Sequence, residues 1–150
     1  MTSLPPFNLA GDLPPGVHPV SLAMVRQRLG EGSARRRVLV ETLQRLYSLA
    51  SDTGHLARFI LFGSFVTAKL APNDVDLFLL MEDSFDASQL SGEAAIVFNH
   101  LWAQAYFGAS IFWLRRVSAL GGEQDAVEYW QTKRDGARRG VVEVKADDSF

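Results

Sequence analysis

Residues 58–80 read Arg-Phe-Ile-Leu-Phe-Gly-Ser-Phe-Val-Thr-Ala-Lys-Leu-Ala-Pro-Asn-Asp-Val-Asp-Leu-Phe-Leu-Leu. The apolar run 58–62 stops abruptly at Gly63, the mark of a short buried strand. Pro72-Asn73 is a turn signal, and the apolar residues of 74–81 predict a second strand. Nine residues separate Ser64 from Asp74. Glycine allows a sharp bend and a close approach to the main chain, and N–H groups after such a bend can face an anion. Ser64 adds a hydroxyl donor. Asp74 and Asp76 are two apart on a strand, so both carboxylates project from one face. Held that close they repel, and a divalent cation removes the repulsion. Magnesium takes a few carboxylates together with phosphate oxygens, which is the donor set this face offers. Asn73-Asp74 alone would be ordinary turn chemistry. Asp76 is different, because an acid inside Val75-Asp76-Leu77-Phe78 is costly to bury without a partner.

Outward from this pair, the chain gives a coarse order of elements. Ser21 can cap a helix over 22–29 that Gly30 stops, and Ser33 can cap a longer one to about Ser51. Residues 87–106 read as one helix with Leu90, Ala94, Val97, Leu101 and Ala105 on a stripe. Residues 109–114 are a third strand, 123–134 a short helix, and Val141 to Val144 a last strand. The segment 1–19 is rich in Pro and Gly and can be neither a long helix nor a central strand. It is either a flexible leader or an ordered arm packing Phe7, Leu9, Leu13 and Val17 on the domain. The tail from Lys145 to Phe150 is expected to be loose. The expected fold is therefore one α/β (α+β) domain over 1–150, a small mixed sheet with helices mainly on one face.

Composition narrows the function classes. A chain of 150 residues with 47% hydrophobic content can bury a core unaided. There is no cysteine, which removes thiol catalysis and cysteine-type zinc sites. The net charge of −2 does not indicate a strongly basic nucleic-acid binder, although nucleic acid stays open as a partner. No apolar run is long enough to span a membrane, and no Lys or Arg precedes Arg26, as a secretory signal would require. A cytoplasmic protein is the expectation. His18, His55 and His100 are scattered without metal-ligand spacing. Arg35-Arg36-Arg37 reads as a solvated helix face. Arg115-Arg116, Lys133-Arg134, Arg138-Arg139 and Lys69 are candidates to meet phosphate. The tryptophans Trp102, Trp113 and Trp130 read as core.

The pattern of an apolar residue, Gly63-Ser64, a spacer and Asp74-Val75-Asp76 resembles the signature of the DNA polymerase beta-like nucleotidyltransferase superfamily. The likeness is to its small bacterial members, including minimal nucleotidyltransferases that act as antitoxins and a group of stand-alone domains. Gly11 to Gly16, Gly63 to Thr67, Arg134-Asp135-Gly136 and Gly140 to Val144 are similar to segments of that stand-alone group. The resemblance implies a nucleotidyltransferase fold in which Gly63 and Ser64 hold a nucleoside triphosphate such as ATP. It implies that Asp74 and Asp76 bind magnesium or manganese and catalyse transfer of a nucleoside monophosphate to a hydroxyl. It further allows a protein partner such as a toxin, and a homodimer. One departure stands out. Active members place a third carboxylate on the strand after the next helix, and here that strand carries Ser110 and no acid. Glu82, Asp83, Asp86 and Glu93 are the acids that could substitute. The alternative function is thus a catalytically degenerate module that binds nucleotide or a partner protein.

Overall fold

The computed structural model describes residues 3–119, 121–133 and 135–146. Five strands form one mixed sheet: β1 (Val17–Ser21), β2 (Leu56–Phe62), β3 (Val75–Met81), β4 (Ala109–Arg115) and β5 (Val141–Lys145), in the order β1-β5-β2-β3-β4. β2 runs antiparallel to β3 and β5, whereas β1–β5 and β3–β4 are parallel pairs. The helices are α1 (Leu22–Leu29), α2 (Ala34–Asp52), α3 (Gly92–Val97), α4 (His100–Phe107) and α5 (Glu123–Trp130).

The period-two alternation of the strands divides the core. Leu61, Leu77, Leu79, Ile111 and Val142 point to one face and pack with Leu39, Leu43 and Leu46 of α2. Ile60, Phe78, Leu80 and Val141 point to the other and, among the described residues, are covered mainly by Val127, Ala126 and Trp130 of α5. The sheet is therefore thickly covered on one side and thinly on the other, and the expected mixed α+β architecture with helices mainly on one face is what is seen. Both predicted caps form: Ser21 Oγ accepts from the Met24 N–H and Ser33 Oγ from that of Arg36.

Two helices depart from the reading of the sequence, and the structure decides between the alternatives for the leader. The expected helix 87–106 is broken into a single 3₁₀ turn over Ala87–Gln89, then α3 and α4. Asn99 makes the break, because its Oδ1 accepts from the Trp102 N–H at 3.0 Å and starts a new helix there. The helix expected over 123–134 ends at Trp130, and the chain folds back through a Thr132–Arg138 bridge. The leader is an ordered arm, not a loose one. Leu4 and Leu13 are buried, Phe7 packs on the core, and Leu9 alone of the expected contacts stays fully exposed. Its end, Val17–Ser21, adds an edge strand beside β5. Pro19 lies in that strand, which only an edge position tolerates readily. At the other terminus Lys145 belongs to β5 and pairs with Ser21, while residues 147–150 lie outside the described set.

Candidate functional site at the end of the thinly covered face

β2 ends at Phe62, which is paired with Asp76 at the start of β3. β4 runs parallel on the far side of β3, with Ser110 beside Asp76. Gly63 has φ +77°, a conformation that other residues seldom adopt. A Cβ on it would lie 2.0 Å from Asp76 Oδ2, so the carboxylate occupies the space that any side chain at 63 would need. Past Gly63, Ser64–Val66 forms a 3₁₀ turn closed by the Val66 and Thr67 N–H groups on the Gly63 and Ser64 carbonyls.

The loop that follows is tied to the first turn of α2. Arg36 is buried, and all five of its N–H groups donate to main-chain carbonyls, those of Leu29, Phe65, Thr67 and Lys69. Its guanidinium also lies over the Phe65 ring at 5.3 Å. Arg35 donates to the Pro72 and Asn73 carbonyls, and Ser33 Oγ to that of Leu70. The triplet Arg35-Arg36-Arg37 is thus not simply a solvated face. Two of its members fix the loop between Ser64 and Asp74, a role that charge patterning alone does not reveal.

Gly63, Ser64, Asp76 and Ser110 line one side of a cavity of about 720 Å³, and Lys133 and Arg139 line the other. Its remaining wall is aromatic: Phe62, Phe112, Tyr129 and Trp130. Asp74 stands just before β3 and reaches the group through Ser110, whose Oγ donates to Asp74 Oδ2 at 3.2 Å. Burial, and then the neighbouring Asp74 carboxylate, push the Asp76 carboxyl up to about 6, against the opposing pull of Arg139 and of the Ser110 hydroxyl. Asp76 therefore faces two cations across the cavity, whereas Asp74 is not part of the lining and joins the group only through Ser110. Lys133 and Arg139 are held in turn by Asp12 of the leader, at 3.2 Å and 3.5 Å. Asp12 is buried beside Thr67, with which it forms a bridge. No local signal in the sequence marks Asp12, since it meets its partners across more than a hundred residues of chain. Arg134 lies outside the described residues.

A family model described as a family of unknown function (DUF6932) matches residues 5–145. The chain belongs to DUF6932. No curated protein and no solved structure matches it. The matched span runs from the leader to the last strand, so in this DUF6932 chain it takes in Asp12, Gly63-Ser64, the two acids, Ser110 and the cations Lys133 and Arg139.

The other candidates fall elsewhere. Glu82 pairs with Arg116, Asp83 accepts from the Val117 N–H, Asp86 caps the 3₁₀ turn at Ala87, and Glu93 meets Arg45 and Tyr106. None of these four lines the cavity. Among the described residues no three His, Asp or Glu side chains converge to hold a metal ion. His18 donates to the Pro14 carbonyl and His55 meets Ser84, consistent with structural roles. No helix among the described residues is long and apolar enough to cross a membrane.

Proposed function

We infer that this chain binds a metal-bound nucleoside triphosphate at the Gly63–Asp76 corner and transfers its nucleoside monophosphate to a hydroxyl acceptor. The observation that carries the reading is Asp76, with the like-charged Asp74 beside it, facing Lys133 and Arg139 across one cavity. A lone carboxylate pair is poorly stable in such a place, whereas a divalent cation and a polyphosphate together complement both walls. Asp74 and Asp76 would hold magnesium or manganese, which when bound supplies charge neutralisation at the transferred phosphate. Ser64 offers its hydroxyl to the phosphates beside the tight bend at Gly63. Lys133 and Arg139 offer charge-assisted donors to the same oxygens. In the reaction the acceptor oxygen forms a bond to the α-phosphorus. The bond from that phosphorus to the pyrophosphate oxygen breaks, pyrophosphate leaves with the electron pair, and the hydroxyl proton passes to water.

The resemblance of the Gly-Ser/Asp-x-Asp pattern to the nucleotidyltransferase superfamily supports the reading. Incubation with α-labelled ATP, magnesium and candidate acceptors tests it. Label should move with wild type and stay in ATP with Asp74→Ala and Asp76→Ala. Equal behaviour of all three proteins would remove the proposal.

A second reading has its own observation. Ser110 stands beside Asp76 where the resemblance calls for a third acid. A hydroxyl cannot take a proton from an attacking alcohol as a carboxylate can. On this reading the site binds nucleotide, or the protein binds a partner such as a toxin, without turnover. Calorimetric binding of magnesium–ATP with no label transfer to any acceptor would favour it.

A further inference from the structure

A second cavity, also of about 720 Å³, opens against the first. It runs along β4, an edge strand, with His100 of α4 on one flank and α5 on the other. The two cavities share Phe112, Tyr129 and Trp130, so these three rings form a common wall. Their chemistry is opposite. The first carries an acid, hydroxyls and cations. The second offers almost only carbon, with Phe78, Ile111, Leu114 and Trp113 among its lining.

The polar groups of the second cavity come chiefly from His100, Ser118, Asp125 and the Tyr129 hydroxyl. His100 Nδ1 lies 3.0 Å from the Ile111 carbonyl, a contact that only a protonated Nδ1 satisfies. A neutral His100 ring therefore presents Nε2 as an acceptor, and the ring lies tilted against Phe112, 4.7 Å away, at the shared wall. Trp130 packs 4.9 Å from Phe112 and 4.5 Å from Phe62, so the aromatic contacts run on from one cavity to the other.

Each volume falls in the range of a site for one small ligand. The first already holds groups for polyphosphate and ring surfaces for a base. Group transfer needs a second substrate, and the second cavity is the compartment next to the phosphate groups. Its carbon lining would strip water from a sugar or a charged peptide without replacing the lost hydrogen bonds. A flat aromatic body suits it, because offset and edge-on ring contacts are available on several sides. We propose that the cleft along β4 seats the acceptor, and that the acceptor is an aromatic alcohol or phenol. This rests on the nucleotidyl-transfer reading above. The ring lies between β4 and α5, with its hydroxyl directed to the side at Phe112 and Trp130 that the two cavities share. A phosphodiester forms there, pyrophosphate departs with the electron pair of the broken bond, and the hydroxyl proton goes to water.

Naphthol is a suitable probe, since Trp113 and Trp130 line the cleft and report its arrival by fluorescence. Wild type should bind naphthol at millimolar concentration or below, equally well with and without magnesium–ATP, and should become able to transfer label from α-labelled ATP to it. Leu114→Arg and Ser118→Trp alter exposed residues of the cleft. Both should weaken naphthol at least about tenfold while changing magnesium–ATP affinity less than about twofold. Asp76→Asn should do the reverse. Calorimetry with magnesium–ATP alone reads the underlying nucleotide proposal separately from the acceptor. Failure of naphthol to bind wild type, or indifference of its binding to both cleft variants, overturns the acceptor proposal. So does competition between naphthol and ATP, which would make the cleft the seat of the nucleobase. Binding of both ligands without label transfer overturns it as well.

Discussion

Two acids lie on the same face of the sheet, and the molecule treats them in opposite ways. Glu143 of β5 is 3% exposed and receives two parallel N–H groups from Arg58, at 2.7 Å and 3.0 Å. Burial alone would raise its carboxyl, but hydrogen bonds from Arg58 and Lys145 hold it below the ordinary glutamate range. Arg58 also reaches Glu123 at the start of α5, which pins that end of the helix to the sheet. Toward the other end of α5, Asp76 is half-buried with another carboxylate as neighbour, and its affinity for a proton rises. The first arrangement is complete in itself and does structural work. The second is short of positive charge at the sheet and opens into a cavity with cations on its far wall. Perturbed acids of the second kind are the ones that mark functional sites.

The largest effect is expected where the complete arrangement is broken. Arg58→Met leaves Glu143 buried with only the exposed Lys145 beside it. Unfolding by urea should show a loss of about 3 kcal/mol at neutral pH, the range for removing one partner of a buried pair. The sign with pH follows from the lowered carboxyl. Its contribution is full above the ordinary value of 4.5 and is lost as pH falls through the lower folded-state value, so the gap between variant and wild type should narrow in acid. A gap that is constant with pH would show that the pair is not what holds Glu143.

Gly63→Ala comes next and acts at the incomplete end. The new Cβ meets Asp76 Oδ2 at 2.0 Å in a backbone conformation that alanine avoids. A loss of about 2 kcal/mol is expected from the strain, together with loss of magnesium–ATP binding because the carboxylate must move. Unchanged nucleotide affinity would separate Gly63 from the site.

The two ends also differ in how far the sequence discloses them. The corner at Gly63 is local. An apolar run cut by glycine, and an acid set inside a second apolar run, can be read from twenty residues because short-range geometry forces them together. The resemblance points to Ser110 as the position of a third acid, and the register of β3 and β4 sets it beside Asp76. The partners supplied from a distance were not legible. Asp12 looks like a turn residue in a Pro-rich leader, and its meeting with Lys133 and Arg139 depends on β1 joining β5. Lys133 and Arg139 were two names among several basic candidates. Arg36 read as a surface charge, because nothing near it in sequence announces the four carbonyls that surround it. The break at Asn99 is hidden in the sequence for a related reason: an apolar stripe at helical spacing continues across it, and one side-chain cap decides where the helix restarts.

A change that stabilises the protein is expected from Asp76→Asn in buffer with chelator. The carboxyl rises from 3.8 in the unfolded reference to about 6 in the fold, so the native state binds the proton more tightly between those values. Wild-type stability should then fall as pH rises through that window, and the cost should be complete above it. After allowance for solvent screening, the asparagine variant should gain about 1 kcal/mol near pH 8 and nothing near pH 4. Saturating magnesium with ATP should reverse the order at pH 8, since wild type gains binding energy that the variant lacks. A variant that is no more stable than wild type without metal would mean that the Asp74–Asp76 pair carries no penalty, and the contrast between the two ends of the face would lose its physical basis.

The smallest effect concerns the leader. Asp12→Asn removes the charge that holds Lys133 and Arg139, both partly exposed, and should cost about 1 kcal/mol. The two cations would remain in the cavity wall but with fewer constraints. If Asp12 serves to aim them at phosphate, magnesium–ATP affinity should drop about three- to tenfold, with a steeper dependence on salt than in wild type. If Asp12 instead competes with the phosphates for the same two side chains, its neutralisation should tighten the nucleotide by a similar factor. Calorimetry at two salt concentrations distinguishes the outcomes. The geometry favours aiming, because Asp12 is itself fixed by the Asp12–Thr67 bridge and by the Gly11 carbonyl accepting from the Ala68 N–H at 2.8 Å, on the loop that begins at Ser64. One rigid segment thereby sets the position of the cations relative to the bend that faces them.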